Sequence, residues 1–305
     1  MEEPNNAGGI SWKENLFYKH FGHNSIPNFP IARVYHSEDI TEEGTGGLVA
    51  ENLGPHVFVA EHIPGLSNEQ VLRLMEALGG FHAHLLLRDD KSYVQSFEEG
   101  AHGRETFSEA MQTMMFDDAL TLESVAPDVF GNGRIQNLKW SFDYENKNKA
   151  VADTISAIPG ILAHGDLNVT NILWRKESAQ SEIGAIIDFQ LITVGSVAHD
   201  IIRILTLGLS RKVRRELTSK YLEHYFATFA GFFPDGKVPF TMDELQRQYK
   251  VIYPYASNFS LFGIAIYIKM YSDGTLGVAD EQKANCDELI DRALGIVEDI
   301  EELKQ

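Results

Sequence analysis

The chain contains the stretch ILAHGDLNVTNILW, running from Ile161 to Trp174, and a few residues later GAIIDFQ, from Gly184 to Gln190. Asp166 is followed by four residues and then Asn171, and Asp188 closes the apolar, strand-like run Ala185-Ile186-Ile187. Three oxygen-bearing side chains are thus set at two short spacings on either side of a strand pair. When a phosphoryl group is transferred, charge develops on its oxygens while a hydroxyl attacks in line. A protein that assists needs ligands for a hard cation and one carboxylate to orient the nucleophile and take its proton. Asp166 suits the carboxylate role. The amide oxygen of Asn171 and the carboxylate of Asp188 suit Mg²⁺, which prefers oxygen and lets phosphates and water complete its shell.

The spacing Asp-x-x-x-x-Asn, with a later Asp at a strand end, is half of a kinase catalytic loop plus a DFG-type aspartate. Asp and Asn are also common turn residues, so the match alone says little. Its context says more: an apolar approach from Ile158 to Ala163, the continuation Ile172-Leu173-Trp174, and a second apolar strand ending at Asp188. His164 could be read as a ligand or a base, but the carboxylates already fill those roles, so it is expected to hold the loop through backbone hydrogen bonds. His82 and His84 lack the further ligands a zinc site needs.

Composition narrows the class. With 305 residues, 44% of them hydrophobic, the chain can bury a core sufficient for one large domain or two lobes. Its 44 acidic against 26 basic residues give a net charge of −18, which argues against nucleic acid and against anionic membranes as partners. Cys286 is the single cysteine, which excludes an internal disulfide framework and fits a reducing, cytoplasmic location. MEEPNNAGG has no basic-then-apolar pattern of a signal peptide. Ile201 to Leu209, interrupted by Arg203, and Phe259 to Ile268 are both well short of the roughly 20 residues that span a bilayer, so no membrane partner is expected. The sequons at Asn168 and Asn258 are read as coincidences. Oligomeric state is not legible.

Along the chain, Trp12 to Phe21 reads as a helix ending near Gly22. Ile31 to His36 and Gly47 to Asn52 read as a hairpin around the acidic turn Ser37 to Gly46, and Val57 to Glu61 as a further strand. Ser67 with Gln70 forms a capping box, and Val71, Leu74, Met75, Leu78, Phe81, His82 and Leu85 follow a helical stripe. Beyond Asp200 the pattern is helical, with Leu217, Tyr221, Leu222, Tyr225 and Phe226 on one stripe and Leu289, Ala293, Ile296 and Ile300 on another. The expected shape is an α+β, protein-kinase-like two-lobe fold. A truncated small β-lobe (1–53) ends in a hinge, and a large helical lobe (54–305) carries the catalytic loop. Glu51, Asn52 and Leu53 in that hinge are candidates to hold a nucleotide base through backbone groups.

His164-Gly165-Asp166-Leu167 with Asn171, then Ile187-Asp188-Phe189-Gln190 and Ala198-His199-Asp200-Ile201-Ile202-Arg203, resembles the aminoglycoside-phosphotransferase and choline-kinase superfamily. Within it, the CHK kinase-like, or ecdysteroid-kinase-like, branch is the most similar. Lys13 to Tyr18 is similar to the family's glutamate-bearing helix, Leu48 to Leu53 to its hinge, and Ala77 to Ala83 to its first large-lobe helix, so the likeness runs from about Trp12 to the end. It implies ATP and Mg²⁺ as cofactors and a small hydroxylated molecule as acceptor. It implies Asp166 as catalytic base, Asn171 and Asp188 as metal ligands, and Glu14, His164 and Asp200 as structural support. An ecdysteroid-like acceptor would want an apolar pocket. A choline-like cation would want aromatic faces, which Tyr249, Tyr253, Tyr255, Phe259, Phe262, Tyr267 and Tyr271 could offer, although most of them read as helix core. Gly165 in place of the HRD arginine, Gln190 in place of the DFG glycine and the lack of Ala-Pro-Glu point away from a protein kinase.

The pattern is broken at one end. Only thirteen residues precede Glu14, too few for the strands, the phosphate-covering loop and the lysine that pairs with this glutamate in such enzymes. Gly8-Gly9 is too short for that loop, and Lys13 lies on the same helix as Glu14. Each lost contact of this kind costs about 2.7 to 4 kcal/mol of transition-state stabilisation. The expectation is therefore an ATP-dependent phosphotransferase with impaired activity, or else an inactive, small-molecule-binding relative.

Overall fold

The computed structural model describes residues 8–22, 26–39, 46–101, 108–178, 181–276 and 281–304. The N-terminal residues 1–7 and the hairpin turn at 40–45 lie outside them. The first helix, α1 (Gly8–Phe21), takes in Gly8 and Gly9 and ends where the Gly22 amide donates to the Tyr18 carbonyl at 2.8 Å. Strands β1 (Val34–Glu38) and β2 (Gly47–Ala50) form the expected hairpin, in the register Glu38↔Gly47 to Val34↔Ala50. The first strand starts three residues later than its apolar pattern suggests. Ile31 instead forms a parallel bridge to Ile186, and the Pro30 carbonyl accepts the Ile186 amide at 2.8 Å. That bond fastens the segment before the hairpin to the strand leading into Asp188.

Strand β3 (Val57–Val59) is shorter than its Val57 to Glu61 pattern, because its ladder with the strand at 172–175 ends at Val59 and the chain turns over residues 62–64. Helix α2 (Asn68–Leu87) begins at the expected capping box. Ser67 Oγ accepts the Gln70 amide, the Gln70 side chain takes the Ser67 amide, and the stripe from Val71 to Leu85 is buried. Short helices follow: α3 (Ser92–Ala101), α4 (Glu109–Leu120), α5 (Leu122–Val125), α6 (Pro127–Phe130), a 3₁₀ turn over Gln136–Phe142 and α7 (Tyr144–Ala157).

Strand β4 is only Leu162–Ala163, because α7 occupies the chain as far as Ala157 and Pro159-Gly160 turns it. Strands β5 (Ile172–Arg175) and β6 (Ile183–Ile186) pair antiparallel and with β3 form the order β3-β5-β6. The separate pair is β4 with β7 (Thr193–Val194). The rest is helical: α8 (His199–Gly208), α9 (Arg211–Gly231), α10 (Met242–Ser272) and α11 (Gln282–Leu303). The α+β class is therefore observed, with small sheets beside a large helical part.

Two apolar cores hold this together. One joins α1, α2, the β5-β6 sheet, α8 and α9; the other gathers α4, the 3₁₀ turn, α10 and α11. By length and composition α10 could cross a membrane, but Ile252, Leu261, Ile264 and Ile268 are buried against its neighbours, which is the position of a core helix. Tyr253 and Tyr271 are buried there too, and the other aromatic residues named on this helix are partly buried against the same core. Asn168 and Asn258 are both buried and hydrogen-bonded, so neither sequon offers its amide to modification.

Candidate active site

The loop after β4 is fixed by its backbone. Gly165 has φ +88°, and a Cβ on it would stand 2.3 Å from the Leu191 carbonyl, so no side chain fits where the HRD motif carries arginine. Asp200, in the first turn of α8 and 1% exposed, accepts the His164 amide at 2.7 Å and the Gly165 amide at 3.0 Å, one on each oxygen. Burial pushes its pKa up, but the His199 and His164 rings and the His164 amide outweigh this and leave it below the usual carboxylate value. The His199 Nδ1 is 3.6 Å away, an electrostatic contact rather than a hydrogen bond.

His164 is fully buried. Its Nδ1 accepts the Asp166 amide at 3.3 Å, which leaves Nε2 to donate to the Ile187 carbonyl at 3.0 Å. The ring thus ties the Asp166 loop to the residue before Asp188. The Asp166 carbonyl in turn collects two side-chain amides, Asn171 Nδ2 at 2.9 Å and Asn168 Nδ2 at 3.2 Å. With its nitrogen committed, Asn171 has Oδ1 left, and no hydrogen bond reaches that atom among the described residues. The Ile187 amide donates to the Asn171 carbonyl at 3.1 Å, and Ile172 faces Ile186 across the ladder, so Asn171 and Asp188 are brought side by side.

Asp188 itself is left-handed, with φ +67° and ψ +67°. Such a conformation in a non-glycine residue costs about 1 to 2 kcal/mol and persists only when its surroundings hold it. Here the next side chain is the anchor. The Phe189 ring stacks on Phe17 at 3.7 Å and meets Tyr18 edge-on at 5.7 Å, with His164 at 4.8 Å. The Phe189 amide donates to Glu14 Oε1 at 3.2 Å, so the glutamate-bearing helix is coupled to the Asp188 turn. Burial raises the Glu14 pKa; the Phe189 amide opposes that, and the Asp188 charge adds to it. Among the described residues no lysine or arginine forms an ion pair with Glu14. Lys13 is buried beside the Trp12 ring, and burial lowers its pKa to about 8.

Arg203 stood in the sequence as an interruption of an apolar run and as the last residue of the Ala198-to-Arg203 motif, with no role assigned to it. It is 4% exposed, and its Nε and Nη2 donate to Asp166 Oδ1 at 3.2 and 2.9 Å. A lone charge inside an apolar helical stripe is the signal that could have marked it, since buried charges are almost always paired. In the hinge, the Glu51 amide is committed to the Arg33 carbonyl at 2.9 Å, the Leu53 carbonyl accepts the His56 amide at 2.9 Å, and Asn52 Oδ1 accepts the Gly54 amide at 3.1 Å. Among the described residues no hydrogen bond joins this stretch to the Asp166 loop.

Among the described residues, no three His, Cys, Asp or Glu side chains gather into an all-protein metal cage. An uncommitted amide oxygen on Asn171 and the Asp188 carboxylate, on backbone segments joined by the Ile187–Asn171 hydrogen bond, are instead the donor types that suit Mg²⁺, which is commonly held by one or two protein oxygens together with a substrate's phosphates.

Residues 10–305 match the family model DUF1679, described as "Uncharacterized oxidoreductase dhs-27". The chain belongs to this family. A Caenorhabditis elegans protein, "Uncharacterized kinase-like protein D1044.1", is 35% identical over 295 residues, covering 95% of this DUF1679 chain and 76% of that protein. A second one, "Uncharacterized oxidoreductase dhs-27", is 24% identical over 254 residues, covering 80% of this chain but 30% of its own length. The oxidoreductase name therefore belongs to a protein of which this chain spans less than a third. Among solved structures, Plasmodium vivax ethanolamine kinase aligns with TM-score 0.48 and 14% identity over 95% of this chain and 73% of its own. A GDP complex of an aminoglycoside phosphotransferase aligns with TM-score 0.46 and 13% identity over 99% and 83%.

Proposed function

We propose that this chain is a cytoplasmic, Mg²⁺- and ATP-dependent phosphotransferase acting on a hydroxyl of a small molecule. The observation that carries the reading is the loop geometry: one carbonyl, that of Asp166, receives the Asn171 amide while the Ile187 amide locks Asp188 beside Asn171. Kinship with a protein named kinase-like supports it. The similarity of the motifs to the ecdysteroid-kinase-like branch makes hydroxylated sterols the first acceptors to test, with choline-like amino alcohols second.

In this reading Asp166 presents Oδ2 to the acceptor hydroxyl and takes its proton as the new oxygen–phosphorus bond forms and the bond from the γ-phosphorus to the bridging oxygen of ATP breaks, releasing ADP. Asn171 Oδ1 and the Asp188 carboxylate would hold the divalent ion. Held there, the ion would supply charge neutralisation on the phosphoryl oxygens. Asp200 and His164 keep the loop from relaxing during the step, a role of position rather than of proton transfer.

The test is the stability of the full chain with ATP, with and without Mg²⁺, and its ATP turnover with a panel of hydroxylated sterols and amino alcohols. A ligand at one hundred times its dissociation constant should add about 2.7 kcal/mol of stability. Asp166→Asn should lower turnover by about 10²- to 10⁴-fold, to a residual rate, and keep nucleotide binding, whereas Asp188→Asn should abolish the Mg²⁺-dependent part. Absence of both the Mg²⁺-dependent stabilisation and the turnover would remove the reading.

A second reading rests on Glu14. Its carboxylate is buried against the Phe189 amide with no cationic partner among the described residues, as suits an inactive relative that binds a small molecule. Stabilisation by sterols or amino alcohols without any response to ATP would favour it.

A further inference from the structure

We infer that Arg203 is a positioning residue for Asp166, fixing which carboxylate oxygen faces the acceptor; the inference rests on the phosphotransferase reading above. Both of its contacts fall on the same atom: Nε at 3.2 Å and Nη2 at 2.9 Å from Asp166 Oδ1. Among the described residues no hydrogen bond reaches Oδ2. The carboxylate is therefore held by one oxygen and open at the other.

The guanidinium is itself immobilised from three sides. Its Nη1 donates to Ser260 Oγ at 3.1 Å, Ser260 shares a 2.7 Å hydrogen bond with Thr206, and the Phe259 ring lies 4.2 Å from the guanidinium carbon. The Arg203 side chain is 5% exposed and that of Asp166 is 23% exposed, so the arginine stands on the protein side and the carboxylate on the open side. An acceptor can approach only where Arg203 is not.

Sequence spacing makes this a single device. Asp200 and Arg203 are three residues apart on α8, which puts them on neighbouring positions of one face. The first holds the loop by its His164 and Gly165 amides, and the second holds the side chain at the loop's tip. One rigid helix thereby sets both the backbone and the carboxylate rotamer. Displacement of a reacting group by about 1 Å costs on the order of a hundredfold in rate, so a freely rotating Asp166 would be a poor base. A buried ion pair that merely fastens α8 to the loop would stabilise the fold without setting the Asp166 carboxylate for the reaction, and the experiment must separate these.

The full chain is assayed for ATP turnover, with an identified acceptor or with water in its place. Arg203→Gln should lower kcat by about ten- to a hundredfold and leave the KM for ATP within about threefold. Arg203→Lys, which keeps the charge but not the fork, should recover part of the loss. In an Asp166→Asn background, Arg203→Gln should cost less than about threefold more, because a residue that acts through another loses its effect once that residue is gone. If Arg203→Gln does not fold, the same cycle is run with Arg203→Lys. Losses that add in the double variant, or a kcat unchanged by the substitution, overturn the inference and leave the proposed function standing. A wild-type chain that never turns over ATP overturns both.

Discussion

At the residue scale, the left-handed Asp188 is the point where conformation and chemistry meet. Asn tolerates this backbone region and Ala does not, so Asp188→Asn should keep the stability of the parent within about 0.5 kcal/mol while Asp188→Ala loses about 1 kcal/mol more. Urea denaturation of the two variants checks this. Glu14 gives a pH prediction of known sign. Its pKa is raised above the ordinary 4.5, so the folded chain holds that proton more tightly than the unfolded one. The stability it contributes is present below 4.5 and is lost as pH rises through the raised value. Glu14→Gln keeps an oxygen for the Phe189 amide and removes the charge beside Asp188. The urea midpoint of this variant relative to wild type should therefore rise between pH 4.5 and pH 7; a falling difference would mean that a cation pairs with Glu14. Asp200 runs the opposite way, its lowered pKa giving stability above the usual 3.8 that is lost in acid.

At the scale of elements, α1 and the Asp188 turn stand or fall together. Phe17 and Phe189 are both fully buried and stacked 3.7 Å apart. Phe17→Ala should cost about 3 to 5 kcal/mol by chemical denaturation, because the cavity opens in the centre of the first core. It should also weaken Mg²⁺-dependent ATP stabilisation without touching the metal ligands, since Phe189 loses the surface that holds its neighbour in place. The helix α2 was readable in detail from Ser67 and Gln70 because its cap is local and its stripe regular. The hairpin's first strand was not, because the bridge from Ile31 to Ile186 is a contact between residues far apart in sequence. Nor was the pairing of strand β4 readable, since its partner is β7 and not the neighbouring β5.

At the scale of the whole molecule, a net charge of −18 leaves the folded state under self-repulsion that salt screens. Raising NaCl from about 10 to 150 mM should raise the melting temperature by a few degrees, measured calorimetrically. Of the arginine–carboxylate contacts linking α9 to α11, Arg211 with Asp291 and Arg215 with Asp299 are partly exposed and oppose this trend only weakly. A melting temperature that falls with salt would show those pairs to outweigh the repulsion.

The sequence by itself determined the α+β class, the position of the Asp166 loop between short strands and the residues of Asp188's turn. These rest on local spacing, strand patterning and the demands of phosphate chemistry, all of which neighbouring residues express. Only the tertiary structure decided that Arg203 grips Asp166, that Phe17 supports Phe189, and that Glu14 meets an amide rather than a cation. These partners lie 37, 172 and 175 residues apart, going by 166 to 203, 17 to 189 and 14 to 189. Nothing in a local pattern encodes which side chain a buried charge will find, because the choice is made by the packing of whole helices around it.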